Sequence, residues 1–137
     1  MRYIKRFNES HIDTNEIKSY ISDILSELEE FDIRVQSCKD IGDIYFNVVK
    51  KHLEFLYFDG EITEIVEINI SKRDNTSLSY KNTKEQSESL ISYMLSEGFD
   101  YIIDPVWKNS VGIGYKVNNI SEIENKELIS LNFRFFQ

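Results

Sequence analysis

Two histidines and one cysteine are the residues best suited to nucleophilic or acid–base chemistry, and their spacing does not assemble them. His11 lies before the first helical stretch, and His52 lies in the polar run Lys50-Lys51-His52. Neither sits in a His-x-His or HExxH pattern. Cys38 paired with a histidine would make an activated thiolate, but no local signature supports the pair. Cys38 reads instead as a reduced, inert thiol in a strand-like run. A lone cysteine permits neither an intrachain disulfide nor a metal site built on several cysteines.

Gly112-Ile113-Gly114 does not continue into a dinucleotide fingerprint, because Val117 stands where the third glycine belongs. It also falls within a strand-like run, where close sheet packing or a bulge is the simpler use. Glu61, Glu64 and Glu67 recur every third residue. In a strand Glu64 points away from the other two, so the three cannot converge on a metal. In a helix, the weaker option here, all three share one side without a histidine or EF-hand spacing, and a solvated acidic face is the reading preferred. The expectation is no catalytic residue, no metal, no cofactor and no enzymatic activity.

The elements that carry these residues alternate between two periods. Residues 2–7 form a short β-prone run. Asp13 and Glu16 offer a helix start, and Ile17, Ile21, Ile24 and Leu28 follow at helical spacing, which predicts an amphipathic helix over about 14–30. Ile33 to Cys38 and Ile44 to Val49 alternate about a turn at Gly42, which predicts two strands of a hairpin. Glu61 to Ile70 predicts a long strand after the turn Asp59-Gly60. Thr83 to Leu95 predicts a second helix stopped by Gly98. Phe99 to Val106 predicts a strand whose Pro105 suits an edge or a bend. Val111 to Val117 alternates as well. In the last strand Ile129, Leu131, Phe133 and Phe135 take the buried side, and Ser130, Asn132, Arg134 and Phe136 take the other.

The chain, at 137 residues, is read as a single α+β domain spanning 1–137, with an antiparallel sheet and two helices on one face. The halves 1–69 and 70–137 share short matches at near-constant offsets. Thr14-Asn15-Glu16 matches Thr83-Lys84-Glu85, Leu25-Ser26-Glu27 matches Leu95-Ser96-Glu97, and Phe31-Asp32 matches Phe99-Asp100. Ile44, Phe46 and Val48 match Ile113, Tyr115 and Val117. Duplicated βαββ units would leave this trace, with a ferredoxin-like fold as the neighbour.

A net charge of -8 argues against a general nucleic-acid or anionic-membrane binder and favours a basic protein partner. No apolar run follows the basic opening, and none reaches membrane-span length, so a cytoplasmic protein is expected. By alternation Arg34, Tyr45, Asn47 and Lys116 face away from the helices, together with Asn132, Arg134 and Phe136. Tyrosine, arginine and phenylalanine on such a face make anchors for a protein partner, and Trp107 near a turn joins them. The same residues could stack single-stranded nucleic acid. A monomer and a homodimer are both compatible with this pattern.

The opening Met1-Arg2-Tyr3-Ile4-Lys5-Arg6-Phe7-Asn8-Glu9-Ser10 resembles the start of many small proteins of tailed bacteriophages. The resemblance implies a phage accessory protein acting in the host cytoplasm, binding a protein such as a host nuclease or a defence component. The opening also resembles the capsid-targeting segment of some phage internal proteins, which implies a virion-associated role as the alternative. A single-strand nucleic-acid binder is a further alternative.

Overall fold

In a computed structural model, residues 14–24, 31–74, 76, 78–107 and 127–137 are described. The order is α1 (Thr14–Ile24), β1 (Phe31–Ser37), α2 (Cys38–Ile41), α3 (Asp43–Leu56), β2 (Ile65–Lys72), β3 (Leu78–Ser79), α4 (Tyr80–Ser96), β4 (Asp100–Trp107) and β5 (Glu127–Phe136). The fold is α+β with an open, wholly antiparallel sheet among the described strands. The strands run β1–β2–β5–β4. Leu128 of β5 pairs with both Leu78 and Trp107, so β3 continues the line of β2 and β4 takes the opposite side.

Alternation sorts the sheet into two faces. Val66, Ile68 and Ile70 of β2 point to one side with Leu131, Phe133 and Phe135 of β5. The apolar stripe of α1 (Ile17, Ile21) and that of α4 (Leu90, Ile91, Met94) close over this face, and Tyr20 stacks on Tyr93 with ring centroids 3.8 Å apart. Ser79 caps α4, its hydroxyl accepting from Lys81 N–H at 3.3 Å. The helix ends where expected. Phe99 N–H reaches Met94 C=O, Gly98 N–H reaches Leu95 C=O, and Gly98 sits at φ 92, where a side chain would be strained.

Four expectations change. Ile44 to Val49 is not a strand of a hairpin, because α3 runs unbroken from Asp43 to Leu56. Its buried residues are Phe46, Val49 and Leu53, spaced three and four apart, which only a helix brings to one side. They pack on Cys38, Ile65, Ile102 and Phe136, so a third helix covers one end of the face opposite α1 and α4. Phe136 therefore lies buried beneath α3 and does not face outward. Lastly, Val106 pairs with Ser130 and Trp107 with Leu128, leaving Ile129 as the extra residue of a bulge. The bulge turns Leu128 into the core and leaves Ile129 54% exposed.

The helix–edge strand–inner strand order recurs as α1–β1–β2 and α4–β4–β5. The proposed match of Ile44, Phe46 and Val48 with Ile113, Tyr115 and Val117 does not extend it. The first three are helical, and the last three lie outside the described residues. β2 and β4 lie on either side of β5 and both run antiparallel to it, so α4 joins two parallel strands that are not neighbours, the connection of a split βαβ unit. No helix among the described residues is long and apolar enough to cross a membrane.

Candidate functional site: a polar cleft and an exposed helix stripe

Beyond the cover of α3 the sheet face turns polar. Pairing across the strands aligns Gln36, Glu67, Arg134 and Ile102 in one row, and Arg34, Asn69, Asn132 and Asp104 in the next. These rows floor a half-open cleft of about 420 Å³, with Tyr45 of α3 as one wall.

Glu67 is the hub of the first row. Arg134 Nε donates to its Oε2 at 2.7 Å, and Tyr45 Oη donates to Oε1 at 2.8 Å and Oε2 at 3.0 Å. Charge-assisted bonds of this length are the strong class. Burial works against the Arg134 charge, but the hydrogen bond and the charge of Glu67 more than offset it and hold the guanidinium protonated. Burial, then the bond to Glu67, raises the Tyr45 phenol above its ordinary value. Cys38 borders the same carboxylate. Burial, then the charge and hydrogen bond of Glu67, keep its thiol far above the ordinary range. A thiol held this way is no nucleophile at neutral pH.

Removing Arg134 strands a half-buried carboxylate. Arg134→Met is expected to cost about 2–3 kcal/mol, below the 3–5 typical of fully buried pairs, because this pair keeps some solvent contact. Glu67→Gln in the same chain recovers much of that loss, and a denaturant double-mutant cycle measures the coupling.

The second row is tied by amides. Asn69 and Asn132 bond to each other, and Asn132 Nδ2 also donates to the Asp104 carbonyl at 3.0 Å and to Ser130 Oγ at 3.2 Å. The Asp104 Oδ1 is buried and has no hydrogen-bond partner among the described residues. Burial is the main force raising the Asp104 pKa, with Glu67 adding to it and Arg134 and His52 opposing it. The folded state thus binds this proton more tightly than the unfolded chain. Stability falls as pH rises from the ordinary carboxylate value to the folded one, and stays lower above it. Asp104→Asn should therefore melt at a higher temperature than the parent at pH 7. The gap should close at pH below the ordinary value of 3.8, where both states of the parent are protonated. Melting curves at the two pH values check this.

The second feature lies on the outer side of α3. Ile44, Val48 and Phe55 share one helical face, with Lys51 between them, and are 83%, 63% and 86% exposed. Ile41 of α2 and Leu56 at the end of α3 are exposed as well. Scattered exposed apolar residues are normal, but a stripe along one helix face is more than scatter.

The anticipated partner-binding residues divide accordingly. Arg34, Tyr45, Asn132 and Arg134 come together in the cleft. Tyr45 arrives from a helix and not from a strand, and its hydroxyl is engaged. Asn47 is exposed on α3, away from the sheet face. Phe136 is core. Trp107 belongs to β4 at the bulge, its side chain outside the described set, and Lys116 lies outside the described residues. The three glutamates diverge. Glu61 pairs with Lys50, buried Glu64 pairs with Lys39, and Glu67 enters the cleft. Sequence reasoning passed over Gln36, Asn69 and Asp104, although the alternation of β1 and β2 places the first two on the outward face.

The chain matches no known family model, no curated protein and no solved structure.

Proposed function

We propose that this chain is a non-catalytic accessory protein that binds a basic protein partner through the outer face of α3. The observation that carries the reading is the stripe of Ile44, Val48 and Phe55, whose exposure has no use in the fold itself. Aliphatic and aromatic anchors of this kind form the centre of protein interfaces, with a polar rim around them. The net charge of -8 favours a basic partner, because complementary fields speed encounter, while two copies of the chain repel. The resemblance of Met1 to Ser10 to phage protein openings supports a partner among host or phage proteins.

The groups best suited to chemistry among the described residues are engaged elsewhere or lie apart. Glu67 is occupied by Arg134 and Tyr45, Cys38 is held as the thiol, and no three histidine, cysteine or acidic residues converge on a metal position. Base stacking lacks support too, since Phe136 is buried and Tyr45 forms the wall of the cleft.

Immobilised chain incubated with host lysate tests the proposal. The expected result is one saturable basic protein whose retention weakens as salt rises. Retention of nothing saturable, or only of further copies of the chain, overturns it.

A further inference from the structure

We propose that the cleft on the sheet face is a binding site for an organic cation, a guanidinium or ammonium group seated against the Asp104 carboxylate. The site stands apart from the α3 stripe and does not depend on it.

The charge inventory of the cleft points this way. Arg134 and Glu67 cancel at 2.7 Å. Arg34 lies at the rim, its side chain 78% exposed and 3.9 Å from Asp32. That leaves Asp104, which forms no ion pair among the described residues and whose Oδ1 has no hydrogen-bond partner among them. A buried acceptor of this kind is costly, and a buried charge more so, unless both are met. A neutral donor would supply the hydrogen bond alone, whereas a cation supplies the bond and the opposite charge. Two further observations narrow its class. No three potential metal ligands converge among the described residues, which disfavours a divalent ion. The cleft volume of about 420 Å³ suits a side-chain-sized group, and Asn132 and Asn69, in the same row as Asp104, supply polar neighbours.

Such a group could belong to a free small molecule or to a side chain of a polypeptide. The chemistry is shared, so the probes must separate the sources. Binding to the intact chain is followed by amide chemical shifts with three compounds: agmatine, N-acetyl-arginine amide, and N-acetyl-citrulline amide as the uncharged isostere of the second. The expected result is saturable shifts at β4 and β5 for the two cations, with citrulline at least tenfold weaker. Tighter binding of agmatine identifies a free amine as the ligand class, and tighter binding of the capped arginine identifies a polypeptide side chain. Asp104→Asn, checked for an unchanged shift pattern elsewhere, should weaken both cations at least tenfold, while Arg34→Gln should not.

The unsubstituted chain gives a second measurement. Lowering the pH should weaken cation binding as Asp104 takes up its proton. The charged and titratable groups facing it are Arg134, Glu67 and His52, with the phenol of Tyr57 nearby. Equal binding of citrulline and arginine amides, binding indifferent to both Asp104→Asn and pH, or no saturable shift with either cation overturns the proposal.

Discussion

Serine at both Ile44 and Phe55 is expected to reduce retention of the protein partner about a thousandfold while leaving the fold intact. Each side chain stands more than four-fifths exposed on the outer face of α3, so neither contributes to the core. Central apolar anchors of an interface are worth about 2 kcal/mol each, and two together amount to about 4 kcal/mol, or roughly a thousandfold in affinity. The cost to the isolated chain should stay within about 0.5 kcal/mol per site, as for surface substitutions elsewhere. Retention assays beside thermal melts separate the two effects. A variant that still captures the partner normally would move the interface elsewhere on the molecule.

The second large effect contrasts Phe46→Ala with Ile44→Ala. In a strand these two residues point to the same side and would behave alike. In α3 they point to opposite sides. Phe46 packs with Val49 and Leu53 on Cys38, Ile65 and Phe136, whereas Ile44 faces solvent. Phe46→Ala should therefore cost about 3–4 kcal/mol, the usual range for a buried phenylalanine, and Ile44→Ala less than about 0.5 kcal/mol. Denaturant midpoints of the two variants read this directly. Equal losses would restore the hairpin and remove both the third helix and its exposed stripe.

That contrast also marks where the sequence is hard to read. Ile17 and Ile21 announce α1 by their spacing, Gly98 marks the end of α4, and Leu131, Phe133 and Phe135 alternate as a half-buried strand must. Segment 43–56 misleads because Ile44, Phe46 and Val48 alternate by chance with Tyr45, Asn47 and Val49 over six residues, three of them β-branched. The correct signal was longer. Phe46, Val49 and Leu53 keep a helical interval past the point where alternation fails, with Gly42 in front and Asp43 in the first turn. Missing α3 also misplaced Phe136, which alternation alone turns outward but which that helix covers. The bulge at Ile129 depends on pairing between distant strands and leaves no local trace.

The cleft was partly legible for the same reason. Arg34, Asn132 and Arg134 follow from strand alternation, and Glu67 and Asn69 sit on the same outward side of β2. What alternation does not supply is which strands are neighbours. Only the order β1–β2–β5–β4 brings Glu67 against Arg134 and sets Asp104 beside Asn132. Asp104 is further disguised by the apolar run Tyr101-Ile102-Ile103 and by Pro105, which mark the segment as an edge strand and draw attention away from its carboxylate.

A photo-crosslinking amino acid in place of Phe55, expressed in the native setting and irradiated there, tests the outer face of α3 most directly. A single covalent adduct to one basic protein, absent when the crosslinker replaces Glu85 on α4, is the result expected here. No adduct at position 55, or adducts only between copies of this chain, would contradict it.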